Sequence, residues 1–131
     1  MSGLVTIDAV SARHAPALLD LQLRNRSFLA PFDPIRPETF FTLEGQRESA
    51  LLAEADRDAG RTYAFAIIEN ETGDLAGRIA LSNVVRGAWQ NATLGYFVDE
   101  ARNGRGYASL AVKLILGFVF RTAGLHRVQP R

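Results

Sequence analysis

Cysteine is absent from this 131-residue chain, and histidine and lysine are rare. Without cysteine the chain cannot form a disulfide, a thiolate zinc site or a cysteine nucleophile. The two histidines, His14 and His126, are far apart in the sequence and lack the i, i+4 spacing of a helical metal pair. We therefore predict that the protein binds no metal and that its hydrophobic core alone stabilises the fold.

An excess of one charge and long apolar runs are also lacking. The formal net charge is +1, so bulk electrostatics indicate neither a nucleic-acid partner nor an anionic membrane. No stretch approaches the ~20 apolar residues of a membrane span, and no basic region precedes an apolar run at the N-terminus, so we expect a cytoplasmic protein. The 47% of hydrophobic residues is typical of a globular protein, and the length suits one domain over residues 1–131.

Hydrophobic periodicity predicts an alternation of strands and helices. Strands are predicted at 5–10, 62–69, 75–85 and 92–98, with a last strand beginning at His126. Helices are predicted after Ser11, from Thr42 to about Arg57, and over 107–122 with Gly124 as its cap. Three prolines make 28–37 an irregular loop. The order is β-α-α-β-β-β-loop-α-β, which predicts an α/β (α+β) fold.

The junction between the strand at 92–98 and the helix at 107–122 is the most informative segment. It reads Asn103-Gly104-Arg105-Gly106-Tyr107-Ala108. Glycines let the backbone approach an anion, which would meet the free N–H groups of the first helical turn and the guanidinium groups of Arg102 and Arg105. A plain turn would also use glycine for a positive φ. In its strand-to-helix context, at the carboxyl end of a strand, the loop predicts a site for a phosphorylated cofactor.

The wider segment resembles the acetyl-CoA-binding core of the Gcn5-related N-acetyltransferases. Leu94-Gly95-Tyr96-Phe97-Val98-Asp99-Glu100-Ala101 precedes the loop, and Ser109-Leu110-Ala111-Val112 follows it. In that family a Gln/Arg-x-x-Gly-x-Gly/Ala loop holds the cofactor pyrophosphate. Gly106 and Ala108 match its fourth and sixth positions, whereas Asn103 replaces Gln or Arg at the first. The resemblance covers nearly all of the chain and implies a mixed, mostly antiparallel sheet flanked by helices.

Three further segments, 28–31, 40–47 and 124–128, look like the branch that contains the ribosomal-protein-alanine N-acetyltransferases. Those enzymes transfer an acetyl group to the α-amine of a protein's first residue. The resemblance therefore implies an acetyl-CoA-dependent N-acetyltransferase in which a protein N-terminus attacks the thioester directly. Two alternatives stay open, namely a small amine as the acceptor and a non-catalytic module that binds acyl-CoA.

The same resemblance assigns the cofactor contacts. The main chain of Phe97 and Val98 would contact the pantetheine arm, and the loop would hold the diphosphate. The loop residues assigned to the cofactor are Arg102, Asn103, Gly104, Arg105, Gly106, Tyr107 and Ala108.

Acetyl transfer requires a neutral amine and hence a group that accepts its proton. We select Glu44, because it begins the second helix in the family-like segment Thr-Leu-Glu-Gly-Gln. A glutamate in a first turn also stabilises the helix dipole without any catalytic role. Gln90 and Asn91 would either hydrogen-bond the acceptor backbone or cap a turn.

Three other titratable residues are expected to have no catalytic role. Asp99 and Glu100 follow the strand at 92–98, the cofactor strand of the resemblance, and are expected to be solvated loop carboxylates. His14 is expected on the exposed side of the first helix.

The resembled family continues beyond the strand that starts at Leu125 with a helix and two strands that complete the cofactor cleft. These elements do not follow here, so we expect a C-terminally incomplete fold, either a fragment, a chain completed by another chain, or a degenerate copy. The helix at 107–122 and the edge of the cofactor strand would then expose apolar surface, which predicts a homo-oligomer.

Overall fold

A computed structural model describes residues 4–29, 31, 36–85, 91–118 and 127–130, with the backbone alone described at 83–85, 91–92 and 127–130. One sheet has the strand order β1-β2-β3-β4-β5. The strands are β1 Val5–Ala9, β2 Tyr63–Glu69, β3 Leu75–Val85, β4 Asn91–Val98 and β5 Arg127–Pro130. Neighbouring strands are antiparallel except β4 and β5, which are parallel. The mixed, mostly antiparallel sheet is therefore confirmed.

The described α-helices are α1 Ala15–Arg24, α2 Arg26–Leu29, α3 Leu43–Asp58 and α4 Tyr107–Phe118. Helices α1, α3 and α4 confirm the three helical patterns, and Thr42 caps α3 by accepting a hydrogen bond from the N–H of Gly45 at 3.0 Å. The predicted helix end at 122 and Gly124 lie outside the described residues. Helix α2 enters the segment predicted as a loop because the buried Leu29 anchors it to the core.

The two faces of the sheet carry different side chains and different helices. On one face Phe65 and Ile67 of β2 belong to the cluster packed against α4. On the other face Ala64 and Ala66 belong to the cluster packed against α1 and α3. Alternation along β2 produces both faces, and the small alanines allow the two helices on their side to approach the sheet closely.

The prediction that His14 lies on the exposed side of the first helix is wrong. His14 is 6% exposed and precedes α1 in a 3-10 turn, Ala12–His14. Its Nδ1 accepts a hydrogen bond from the N–H of Ser11 at 3.0 Å, and its Nε2 lies 3.1 Å from Oδ2 of Asp8. The ring therefore joins β1 to the start of α1, since both ring nitrogens have partners inside the fold.

Gly77 allows β3 and β4 to lie close together at the end of β4. A Cβ on this residue would collide with the carbonyl oxygen of Phe97 and would lie 3.1 Å from Cα of Val98. Only glycine fits at such a distance from a neighbouring backbone. The position of Phe97 and Val98 thus depends on the absence of a side chain at residue 77.

Candidate functional site

The loop between β4 and α4 has the backbone shape that its glycines predict. Asp99 follows β4 and caps a 3-10 turn over Glu100–Arg102. Gly104 and Gly106 then adopt φ angles of 84° and 77°, in the left-handed region that glycine reaches without steric cost. Helix α4 begins at the next residue, Tyr107. The two positive φ angles turn the chain from the sheet into the helix.

The backbone N–H groups of this loop indicate a binding site for an anion. Within the part of the chain that is described, the N–H groups of residues 104–109 donate no hydrogen bond, and the first intrahelical bond runs from Leu110 to the carbonyl of Gly106 at 3.1 Å. A Cβ on Gly104 or Gly106 would meet no atom within 4 Å. Free N–H groups at a helix N-terminus attract a phosphate, and the open space at both glycines lets the phosphate reach them. The loop therefore fits a diphosphate.

The buried carboxylate of Glu69 holds the loop against the sheet. Glu69, the last residue of β2, is 1% exposed. Its Oε2 accepts hydrogen bonds from the hydroxyl of Tyr107 at 2.6 Å and from Arg105 at 3.0 Å. Its Oε1 accepts from Thr72 at 2.7 Å and from Arg102 at 3.1 Å. One carboxylate thus joins the sheet to residues at both ends of the glycine turn.

Asp99 forms a second buried carboxylate centre and is 2% exposed. It accepts hydrogen bonds from Arg102 at 2.7 Å, from Arg24 of α1 at 2.5 Å and from Asn25 at 3.2 Å. Asn25 in turn accepts from the N–H of Glu100 at 2.8 Å. The expectation that Asp99 is solvated is therefore wrong, because the end of α1 covers it, whereas Glu100 is exposed as expected.

Arg102 connects the two carboxylates. Its guanidinium donates to Glu69, to Asp99 and, at 3.2 Å, to Asp74, and its side chain is 16% exposed. Among the described residues Arg105 forms one ion pair, with Glu69, and its side chain is 52% exposed. The two arginines of the predicted site therefore differ. Arg102 lies within an internal ion network, whereas the guanidinium of Arg105 borders solvent beside the loop.

These hydrogen bonds lower the pKa of both carboxyls. The hydroxyls of Tyr107 and Thr72 outweigh the opposing effect of burial and, together with Arg102, lower the pKa of Glu69 from 4.5 to about 2. Burial also opposes ionisation of Asp99, but hydrogen bonds from Arg24, Asn25 and the N–H of Ala101 lower its pKa below its usual value. Both groups are therefore carboxylates under the loop at neutral pH.

We expect Glu69→Gln to lower stability in a manner that depends on pH. A carboxyl whose pKa is lower in the folded protein contributes stability that is complete above its ordinary pKa, 4.5, and that disappears as the pH falls to about 2. The difference in unfolding free energy between wild type and variant should be constant above about pH 5.5 and should shrink below it. Urea denaturation at a series of pH values measures it.

The control is Glu48→Gln, which removes an exposed carboxylate of α3. Its effect on the unfolding free energy should be small throughout the series. If the difference in unfolding free energy between wild type and Glu69→Gln stays the same from pH 6 to about pH 3, the ionised form of Glu69 does not have the stabilising role given to it.

Only Glu44 of the predicted acceptor residues has a described side chain. Glu44 lies exposed in the first turn of α3, and none of its described contacts is a hydrogen bond or ion pair with the loop. Asn91 is the first residue of β4, where its backbone pairs with Val85 and Arg127. Gln90 lies outside the described residues. The roles of these three residues remain predictions.

Strand β4 has one described neighbour along its second half. Phe97 pairs with Arg78 and Val98 with Gly77 of β3, whereas the described pairing with β5 runs from Asn91 to Leu94. Val98 is 8% exposed and packs in the cluster beneath α4, and Phe97 packs on the opposite face. The side chain of Val98 is therefore enclosed, which leaves its main chain as its means of contacting a ligand, whereas the side chain of Phe97 is partly exposed.

Sequence reasoning missed the two buried carboxylates, although one of them has a recognisable signal. Glu69 follows Phe65 and Ile67 at intervals of two, so strand alternation places it on the buried face. A carboxylate at such a position needs donors, and Arg102, Arg105 and Tyr107 provide them. Asp99 has a weaker signal, the arginine three residues later.

The described residues contain neither a metal-binding cluster nor a helix that could span a membrane. Their histidines and carboxylates form no group of three or more that could hold a metal ion. Their helices are all too short or too polar to cross a lipid bilayer.

Comparisons with known proteins agree with this architecture. Residues 5–130 match the family model described as acetyltransferase (GNAT) domain. The chain is 36% identical over 111 residues to the Bacillus subtilis protein named "Probable N-acetyltransferase YjcK", and 27% identical over 124 residues to the Escherichia coli "[Ribosomal protein uS5]-alanine N-acetyltransferase". These matches cover 85% and 95% of this chain.

Solved structures give the same result for the fold. The ribosomal-protein-S5-alanine acetyltransferase of Vibrio fischeri superposes with a TM-score of 0.90 at 25% identity, covering 96% of this chain and 69% of its own. RimJ of Mycobacterium smegmatis, solved in complex with CoA-disulfide, has a TM-score of 0.90 at 26% identity, covering 98% and 62%. The chain spans 61% and 64% of the lengths of the two curated relatives. Because the family model matches nearly the whole sequence and the fold agrees, this chain belongs to the GNAT acetyltransferase family.

Proposed function

We propose that the chain carries the acetyl-CoA site of an N-acetyltransferase that acetylates the α-amine of a protein N-terminus. The observation that carries the proposal is the run of free N–H groups at residues 104–109 beside two glycines with positive φ. The curated relatives named N-acetyltransferases support the reaction, and the Escherichia coli relative supports a ribosomal protein as the acceptor.

In this proposal the loop binds the diphosphate of the cofactor. The N–H groups that follow Asn103 donate to its oxygens, and the first turn of α4 adds the positive end of the helix dipole. Arg105, exposed beside the loop, supplies a cation. Arg102 supports the loop through Glu69 and Asp99, and Tyr107 does so through its hydroxyl. Gly104, Gly106 and Ala108 leave space for the ligand because their side chains are absent or small.

Acetyl-CoA supplies an acetyl group activated as a thioester. The main chain of Phe97 and Val98 would hold the pantetheine arm along β4, and backbone N–H groups would stabilise the negative charge that develops on the thioester oxygen. The amine of the acceptor would attack the thioester directly, without a covalent intermediate on the protein. Glu44 would accept the proton of that amine, and Gln90 and Asn91 would hydrogen-bond the acceptor backbone.

Two measurements test the proposal. Isothermal titration of acetyl-CoA into the purified protein should show one site, and free thiol release should follow when a peptide with an N-terminal alanine is added. Failure of acetyl-CoA to bind would contradict the proposal at its base. Faster thiol release with a polyamine or a free amino acid than with the peptide would move the acceptor to the small-amine alternative.

A further inference from the structure

Arg78 stands out among the arginines whose side chains are described. It lies in the middle of β3, where its cross-strand partners are Ala66 of β2 and Phe97 of β4. Residues directly opposite each other in an antiparallel sheet share a face. Ala66 and Phe97 belong to the cluster beneath α1 and α3, so Arg78 is on that face and not beneath α4.

The guanidinium of Arg78 has no acceptor in the part of the chain that is described. Three of the arginines with described side chains are not exposed, Arg57, Arg78 and Arg102. Arg57 donates to the carbonyl of Ala64 at 2.6 Å, and Arg102 pairs with three carboxylates. Arg78 makes neither kind of contact. A partly buried cation without a partner is unfavourable, and each of the other two arginines that are not exposed has at least one acceptor.

The surroundings of Arg78 make this charge a binding site for an anion. Burial and the positive charge of Arg36 both lower the pKa of the Arg78 guanidinium from its usual value. Arg78 is only partly buried, so its side chain keeps some contact with solvent. A carboxylate could therefore reach the guanidinium and pair with it in a partly desolvated setting.

The position of Arg78 relates this anion site to the reaction. Cross-strand partners have Cα atoms roughly 5 Å apart, so Arg78 lies beside Phe97, the residue whose main chain is assigned to the pantetheine arm. The acceptor amine must come close to that strand in order to meet the thioester. A charged group of the acceptor would then lie within reach of Arg78, whose long side chain extends from the neighbouring strand.

We propose that Arg78 binds a carboxylate of the acceptor, namely an acidic side chain within the first few residues of the acetylated peptide. This inference rests on the proposed function and adds a selectivity to it. The site selects acidic peptide N-termini, because a neutral acceptor would leave the guanidinium unpaired. The α-carboxylate of a small amino acid offers the same chemistry, and the experiment separates the two sources.

Isothermal titration of two tetrapeptide amides into the protein saturated with coenzyme A tests the inference. The peptides have a free N-terminal alanine and differ only in carrying glutamate or glutamine at the second position. The glutamate peptide should bind about tenfold more tightly, as expected for one charge-assisted hydrogen bond. In Arg78→Gln this ratio should fall to near one while the affinity for the glutamine peptide stays the same. Arg78→Lys, which keeps the charge, should retain part of the preference.

The control Arg61→Gln removes the same charge from an exposed arginine that pairs with Asp56 at the end of α3, and it should keep the full preference. The melting temperature of Arg78→Gln should equal or exceed that of the wild type, because the variant loses a partly buried unpaired charge. If Arg78→Gln has a lower melting temperature and loses affinity for both peptides equally, Arg78 has a structural role and the inference is overturned.

The remaining outcomes distinguish the inference from the proposed function. If coenzyme A binds but the wild type shows no preference for glutamate, or Arg78→Gln keeps that preference, the inference fails and the proposed function stands. If coenzyme A does not bind, the proposed function fails and the inference fails with it. Alanine and alaninamide form the last pair of probes. If the wild type prefers alanine, loses this preference in Arg78→Gln, and shows no preference between the two peptides, the acceptor is a free amino acid and not a peptide.

Discussion

Gly106→Glu should strongly weaken the binding of acetyl-CoA while leaving the protein folded. Gly106 has a φ of 77°, and a Cβ there meets no atom within 4 Å, so the new side chain enters open space beside the free N–H groups. Its carboxylate would compete for those N–H groups and would repel the diphosphate. We expect the dissociation constant to rise by a factor of about 100 or more, equivalent to roughly 3 kcal/mol, and isothermal titration measures it.

Gly73→Glu is a closely matched control for this substitution. Gly73 also has a φ of 77°, and a Cβ there also meets no atom within 4 Å, but it lies in the turn between β2 and β3. The control therefore introduces the same backbone strain and the same charge, and it should keep its affinity for acetyl-CoA within a few-fold. Equal affinities for the wild type and a folded Gly106→Glu protein would refute the assignment of the diphosphate to this loop.

Arg102→Met should be the most destabilising single change in the ion network. The substitution leaves two buried carboxylates, Glu69 and Asp99, without the cation that bridges them. Removing one partner of a buried ion pair leaves uncompensated charge in a poorly solvated place, and we expect a loss of about 3 kcal/mol in unfolding free energy. Urea denaturation at neutral pH measures this loss, and the affinity for acetyl-CoA should fall because the loop loses its support.

Arg105→Met provides the contrast, because Arg105 contacts the same carboxylate from an exposed position. Water replaces most of that interaction, so the unfolding free energy should change little. Adding Glu69→Gln and Asp99→Asn to Arg102→Met should recover much of the lost stability by removing the negative charges that Arg102 partly neutralised. If Arg102→Met and Arg105→Met have equal effects on stability, the network does not bridge the sheet and the loop as described.

Patterns of adjacent residues predicted the elements of the fold well. Alternation in Tyr63–Glu69 predicted β2 to within one residue, and β3 was predicted with its observed bounds. Such segments are decided locally, because a strand with one face under a helix repeats every two residues. Helix α2 was missed because four residues are too few for a periodic signal, and burial of Leu29 stabilises them.

The candidate site likewise has one part that the local sequence predicts and another that it does not. The glycine turn and the start of α4 follow from residues 103–108 themselves, because glycine alone reaches both positive φ angles without cost. The support beneath that turn comes from Glu69, 38 positions before Tyr107, and from Arg24 and Asn25, about 75 positions before Asp99. No local pattern indicates such pairs. His14 was placed wrongly for a different reason, since its bonds to Asp8 and Ser11 form in a 3-10 turn before α1, which helical spacing does not reveal.

The sequence by itself determined the order of elements, the glycine loop and the membership of the family, because each is encoded in neighbouring residues or in a pattern that nearly the whole chain matches. The tertiary structure alone decided which charges are paired. It joined Glu69, Asp99 and Arg102 beneath the loop and left Arg78 without an acceptor among the described residues. The physical reason is that the free energy of a charge depends on its desolvation and on partners brought from distant parts of the chain, which only folding establishes.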